Sequence, residues 1–367
     1  MLRSRGEEVI EYVVDNAEIR SENLITVGLQ SIWNPKEFDN VKQLIRSERP
    51  DIMKVDNFFP RLSPSIFRAA KEMSIPTALS VRNYRLVCPS ANLFRDGHVC
   101  TTCVGSKVGL AAIHHRCYRK SYLQSAAVVA SNVYAHLRGV WEDSVDRFIA
   151  VSSFVKQQLV AGGFPEDRII VKPNFISDTG VGDGSGGYGL YVGRLTEEKG
   201  VRSLLKAWKN VSQPVRLKLI GDGPLESIVR EASEADSRIE YLGRKSLSDV
   251  CEYLGNAAFL IFPSEWYEPF GRTIVEAYSK GTPVIAAATP PMQAMVEDGV
   301  TGLLYRPGDS EELASVVSSL TSDPDRLRSL RLQARARYLA LYTEEQNYQQ
   351  LMAVFQQCIV APRPTSV

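Results

Sequence analysis

Histidine is scarce in this chain of 367 residues: there are four, and three of them, His98, His114 and His115, fall in one short segment. That leaves little material for a site built on several acid/base histidines. A metal-binding Asp-x-Asp triplet occurs once, at Asp323-Pro-Asp325. There Asp323 reads better as the N-cap of a helix with Pro324 at its first position. Gly221-Asp-Gly223 lacks the third glycine of a dinucleotide fingerprint, which excludes an NAD reading. No long apolar run is present either. The longest, Leu123 to Trp141, contains Asn132, His136 and Arg138 and is too polar to span a bilayer unaided. Met1 to Ile10 is charged and lacks the apolar stretch of a secretory leader, so a cytoplasmic chain is expected and the Asn210-Val-Ser212 sequon has no consequence. Repeats are missing, and a formal net charge of +1 gives no reason to expect a nucleic-acid partner.

What is present suits two globular α/β domains, since 44% of the residues are hydrophobic. The second half alternates short β-branched runs with helical patterns, the mark of βαβ units and a parallel sheet. Strands are predicted at 189–192, 217–220, 239–242, 258–262 and 284–286. In the first half they are predicted at 10–14, 24–27, 52–55, 77–80, 147–150 and 169–171. Gly180, Gly182, Gly184, Gly186, Gly187 and Gly189 mark a flexible linker. Leu123, Ala127, Ala130, Tyr134, Leu137 and Trp141 recur at helical spacing and predict one buried face, with membrane contact as the rarer alternative.

Charge is unevenly spread. Residues 1–175 hold 23 Lys and Arg against 18 Asp and Glu, and the remainder 20 against 24. Between residues 82 and 120, Arg82, Arg85, Arg95, Lys107, Arg116, Arg119 and Lys120 face one acid, Asp96. The segment suits anionic acceptors or lipid headgroups, or is a solvated loop. Four of the six cysteines, Cys88, Cys100, Cys103 and Cys117, also lie there. A Cys-x-x-Cys pair with two outlying cysteines can hold a tetrahedral structural zinc, and free thiols packed in a folded insert are the alternative. Cys251 and Cys358 read as lone core residues.

The densest chemistry is in Glu268-Pro-Phe-Gly-Arg-Thr-Ile-Val-Glu276, two carboxylates flanking a turn that opens onto a helix. Backbone amides near Phe270 and Gly271 at a helix N-terminus suit a phosphate, while the carboxylates can accept hydrogen bonds from sugar and ribose hydroxyls. With Tyr191-Val-Gly-Arg-Leu195, Lys199-Gly200, Leu219-Ile-Gly-Asp-Gly-Pro224, Phe262-Pro-Ser264 and Gly281-Thr-Pro-Val-Ile-Ala286, this segment resembles the donor site of family 4 glycosyltransferases, retaining enzymes with the GT-B fold. The resemblance covers residues 150–345 well and the first half more loosely, at Asn83-Tyr-Arg-Leu-Val-Cys-Pro89 and Lys172-Pro-Asn-Phe175.

The resemblance implies an α/β GT-B fold: two Rossmann-like domains with parallel sheets facing across a cleft. An acceptor domain at 1–178 would carry a Cys-rich insert at 82–120. A hinge at 179–188, a donor domain at 189–343 and a helix at 344–367 crossing back to the first domain would follow. It implies a hexosyl transfer from a nucleotide-diphosphate sugar to a glycan or lipid-linked acceptor, in cell-surface polysaccharide or glycolipid synthesis, with no metal or other cofactor required for transfer. Arg194 and Lys199 would meet the leaving diphosphate and Glu268 the transferred sugar. Gly193, Gly221, Gly223, Arg244, Phe270, Gly271 and Glu276 would surround the nucleotide, with Glu276 on the ribose. A cytoplasmic enzyme touching the inner membrane surface peripherally is the expectation. Relatives begin with a strand and a Gly-rich loop before a sequence like Leu2-Arg-Ser-Arg-Gly-Glu-Glu-Val9, so the first domain is expected to lack its first strand. Arg82 and Asp56 stand where relatives often have histidine. A degenerate sugar-nucleotide-binding protein and a sugar-nucleotide epimerase are the competing readings.

Overall fold

In a computed structural model, which describes residues 1–16, 23–106 and 108–360, the chain forms two compact units. The first comprises Met1–Arg95, Cys100–Lys172 and the chain from Tyr348, and the second Pro173–Asn347 with the short segment Asp96–Val99. Lys107 and the last seven residues of the expected C-terminal helix lie outside the described residues.

The first unit carries strands β1 (Met53–Val55), β2 (Thr77–Val81), β5 (Arg147–Ala150) and β6 (Ile169–Val171), parallel and in the order β1-β2-β5-β6. Two-residue strands β3 (Phe94–Arg95) and β4 (His98–Val99) lie in the Cys-rich insert. From the helix Glu344–Val360, Leu351, Val354 and Cys358 pack on Ala78 and Ile149 of this sheet.

Two predicted strands are absent. Residues 10–14 join no sheet, and residues 24–27 open the helix Leu24–Ile32. Ile25, Thr26 and Val27 have strand propensity, but the Asn23 side chain accepts from the Ile25 amide at 2.9 Å, and that cap starts the helix instead. The helical reading of residues 123–141 also needs correction. One helix runs Tyr122–Leu137, Gly139 interrupts it at φ +59°, and a second, Val140–Ser144, follows. Trp141 is therefore buried by a different element, between Phe58 and Phe67, while Leu123 and Leu137 are 60% and 81% exposed. The true inner face is Ser125, Val128, Val129, Ser131 and Ala135. Its serines are satisfied by backbone carbonyls: Ser131 donates to the Ser31 carbonyl, 100 positions away, at 2.6 Å. A hydrophobic count passes over such residues.

The second unit has six parallel strands: β7 (Tyr188–Val192), β8 (Arg216–Ile220), β9 (Ile239–Gly243), β10 (Phe259–Phe262), β11 (Val284–Ala287) and β12 (Gly302–Tyr305), ordered β12-β11-β10-β7-β8-β9. The five predicted strands are present, and β12 is additional. Every residue of β10 and β11 is buried, because helices cover both faces: one core gathers Trp208, Leu217 and Phe259, the other Leu190, Leu260 and Tyr278. The glycine-rich run lies against this unit. Gly182, Gly184 and Gly186 donate to the Lys280, Gly255 and Asn256 carbonyls at 2.9–3.0 Å, and a Cβ on Gly182 would stand 2.1 Å from the Gly255 oxygen. Asp323 caps the helix Pro324–Leu341 by accepting from the Arg326 amide at 2.9 Å, as its sequence context predicts.

Among its described residues, the insert between Asn83 and Lys120 has little regular structure beyond β3, β4 and the four-residue helix Ala111–His114. Six non-glycine residues in it, Ala91, Leu93, Asp96, Arg116, Arg119 and Lys120, hold positive φ between 50° and 67°. Each such conformation costs roughly 1–2 kcal/mol, so contacts within the insert must offset it.

Candidate functional site

At the C-terminal ends of β7, β8 and β9 the chain turns on glycines, and those turns are locked to one another through backbone. The Gly193 amide donates to the Ile220 carbonyl and the Gly221 amide to the Gly243 carbonyl, both at 3.0 Å, and Leu195 donates to Asp222 at 2.8 Å. Gly221 and Gly223 have φ of +147° and +153°. A Cβ there would come within 1.8 Å of the Gly193 oxygen and 2.5 Å of the Leu195 oxygen. These glycines therefore permit the approach of backbone to backbone. Beyond them Arg194 and Arg244 are exposed, and neither guanidinium forms a hydrogen bond or ion pair among the described residues.

Behind this rim, the 3₁₀ turn Glu197–Lys199 brings Lys199 to Glu268, on the loop that follows β10. The ammonium lies 2.9 and 2.6 Å from the two carboxylate oxygens, with side-chain exposures of 20% and 13%. Glu268 also accepts from the Trp266 indole at 2.8 Å and the Ser264 hydroxyl at 3.2 Å. The Trp266 ring centroid is 5.4 Å from the ammonium, within cation–π range. Arg202 takes up Glu197 at 2.9 Å, so Lys199 pairs with the motif glutamate and not with its sequence neighbour.

Glu276 faces a different environment. It sits within the helix Arg272–Ser279, is 6% exposed, and accepts from the Arg272 guanidinium at 2.9 Å. Burial pushes its carboxyl above the usual carboxylate range, and Arg272 offsets that only in part. One expectation fails here: the Gly271 amide does not face outward free, because it donates to the Met295 sulfur at 3.3 Å. The amides of Arg272 and Ile274 are likewise taken, by the Phe270 and Gly271 carbonyls at 3.0 Å. The Phe270 ring packs edge-on to Tyr342, with centroids 6.4 Å apart. Sequence reasoning missed Trp266 and Met295. The indole two residues before Glu268 was the available signal, whereas Met295 is distant in sequence.

In the first unit, Asp56, Arg82 and Lys172 follow β1, β2 and β6. Asp56 accepts from Arg82 at 3.1 Å and pairs with Lys54. Burial would raise the Asp56 carboxyl, but Lys54 and Arg82 outweigh it and hold it below the usual range. Lys172 is 8% exposed, and burial, with Lys54 and Arg82 adding to it, pushes its ammonium down to about 8.

All four cysteines of the insert line one cavity with water-accessible space of about 20 Å³, together with Phe94, Arg95 and Ala112. Burial, then Cys88, Cys117 and Cys100, pushes the Cys103 thiol up to about 11. The Cys88 sulfur lies 3.2 Å from the Ser90 hydroxyl, Cys100 3.4 Å from Thr102, and Cys103 donates to the Gly109 carbonyl at 4.0 Å. Among the described residues no three His, Cys, Asp or Glu side chains are already gathered as a ligand cluster.

Two parallel sheets of Rossmann type, with a polar site at the strand ends of the second, define a GT-B fold. Solved structures agree: a HepE protein of Anabaena in complex with UDP superposes with a TM-score of 0.67 at 20% identity, covering 87% of this chain and 81% of that one. The lipopolysaccharide outer core galactosyltransferase WaaB superposes at 0.59, also at 20% identity, covering 88% and 79%. Residues 187–323 match the family model described as glycosyl transferases group 1. An uncharacterized glycosyltransferase of Methanocaldococcus jannaschii is 32% identical over 188 residues, 50% of this chain and 52% of that one. The alpha-maltose-1-phosphate synthase of Mycolicibacterium smegmatis is 30% identical over 181 residues, 45% and 46% of the two chains. The chain thus spans about half the length of these curated relatives. The match to the glycosyl transferases group 1 model lies within the second unit.

Proposed function

We propose that the protein is a metal-independent, retaining glycosyltransferase that moves a hexosyl group from a nucleotide-diphosphate sugar to a glycan or lipid-linked acceptor. The observation that carries the reading is the Lys199–Glu268 pair, with Trp266 donating to the carboxylate, together with the Arg194 guanidinium, unpaired among the described residues, on the loop that follows β7. A diphosphate entering here meets Arg194 and draws Lys199 toward itself, while Glu268 turns its oxygens to the hydroxyls of the sugar. Glu276, ionised, accepts from the ribose. Two cationic side chains supply the charge stabilisation that a divalent ion supplies elsewhere. For retention, the bond from the anomeric carbon to the leaving phosphate oxygen breaks as the acceptor oxygen attacks from the same face. That phosphate oxygen takes the acceptor's proton. Uridine is the first base to test, because HepE and a TarM protein have been solved with UDP.

Calorimetric titration with UDP, GDP and ADP, without divalent cations and again with Mg²⁺, tests the reading. One nucleotide should bind equally well in both buffers, and Arg194→Ala and Glu276→Ala should each weaken it at least tenfold. Affinity should also fall as pH drops through the raised pKa of Glu276, since a protonated carboxyl accepts poorly. Absence of binding by a folded chain, or binding indifferent to both substitutions, would overturn the assignment.

A further inference from the structure

The Cys-rich insert is outside the nucleotide site and has its own chemistry. We propose that Cys88, Cys100, Cys103 and Cys117 form a tetrathiolate site for one structural zinc ion that holds this insert in shape. Three separate stretches of chain deliver the sulfurs to one cavity. Cys88 comes from the turn in which its amide donates to the Tyr84 carbonyl at 2.7 Å. Cys100 and Cys103 flank a turn closed by Val104 donating to Thr101 at 2.9 Å, and Cys117 is set by its amide bonding the Ala112 carbonyl at 2.9 Å. Unrelated free thiols have no reason to converge in this way, whereas a tetrahedral ion requires it. The cavity has room for about one water-sized species, enough for an ion once the thiols swing inward. The contacts to Ser90, Thr102 and Gly109 are weak beside a zinc–sulfur bond.

Two further observations fit an ion of this kind. A zinc held by four thiolates carries a net charge of −2, and the positively charged Arg95 lines the same cavity. The basic excess of the insert, unexplained by the nucleotide site, thereby gains a local counter-charge. The second is the backbone: Ala91, Leu93, Asp96 and Arg116, all at positive φ, lie between the outermost cysteines in a stretch built mainly of turns. A cross-link among four points of that stretch supplies the constraint that these conformations need. Four soft sulfur ligands favour zinc over calcium, magnesium or manganese. Binding releases the thiol protons, so loading strengthens as pH rises.

The full chain, purified without chelator, should contain about one zinc per molecule by elemental analysis, with X-ray absorption showing four sulfur neighbours at about 2.3 Å. Titration with a mercurial should release that zinc in step with thiol modification, read with a metallochromic dye. Cys100→Ser with Cys103→Ser should lose the ion and lower Tm, while Cys251→Ser keeps both. If the double variant fails to fold, the wild-type zinc content, absorption edge and mercurial titration still decide. Zinc-free protein with freely titrating native thiols, two disulfides by mass spectrometry, or iron in place of zinc would each overturn the proposal. Nucleotide titration of the zinc-stripped chain reads the second unit separately, so the two proposals stand or fall apart.

Discussion

Both units end their parallel strands in charged loops, yet they fasten those ends differently. In the second unit the turns after β7, β8 and β9 are joined backbone to backbone through Gly193, Gly221 and Gly243, and charged side chains are laid over that frame. In the first unit, side chains occupy the same relative place: Asp56 holds Lys54 and Arg82 near the buried Lys172. A backbone lock is rigid and intolerant of any side chain. A charge cluster tolerates substitution but responds to pH and salt.

Substitution at each kind of joint should expose that contrast, and the backbone lock should give the largest effect. Gly221→Ala puts a Cβ 1.8 Å from the Gly193 oxygen, and should destabilise the protein by about 4 kcal/mol or more in urea unfolding. Arg82→Ala, at a pair whose side chains are both about half exposed, should cost about 0–1 kcal/mol by the same measurement. Comparable losses for the two would remove the distinction.

Lys199→Met comes next. It leaves Glu268 mostly buried with only the Ser264 and Trp266 donors, at a cost of about 3 kcal/mol. Lys199→Met with Glu268→Gln should recover most of it, and a double-mutant cycle measures the coupling. The smallest effect concerns pH. Lys172 titrates at about 8 in the folded chain, below the 10.5 of a free lysine, so between those values the unfolded chain binds more protons. Stability attributable to Lys172 should therefore rise with pH across that window and be flat below it. Unfolding of wild type and Lys172→Met at pH 7.5 and 9.5 checks this: the difference between them should shift in favour of wild type at the higher pH.

The same contrast explains what could be read from sequence. β10 and β11 announce themselves, because strands buried on both faces must be apolar throughout and the turns between units are marked by glycine. β12 escaped because Gly302–Tyr305 is a short edge strand opening on glycine. In the first unit, order depends on polar side chains whose role a hydrophobic pattern does not register. Asn23 turned Ile25, Thr26 and Val27 into a helix, and Ser131 faces inward because the Ser31 carbonyl awaits it. At the site, the residue types of Arg194, Lys199, Glu268 and Glu276 were legible. Their pairing was not, since Lys199 crosses 69 positions to reach Glu268 although Glu197 and Glu198 immediately precede it.

That pairing gives the resting site an exchange rule. Lys199 already has a counter-ion, so an arriving anion must displace Glu268 as well as its own water, and a bare phosphate brings nothing to satisfy the carboxylate it evicts. A ligand that carries hydroxyl groups beside its phosphates satisfies both partners at once. In the proposed transferase, that pairing screens against inorganic anions by the manner of its own neutralisation, before shape enters into the choice.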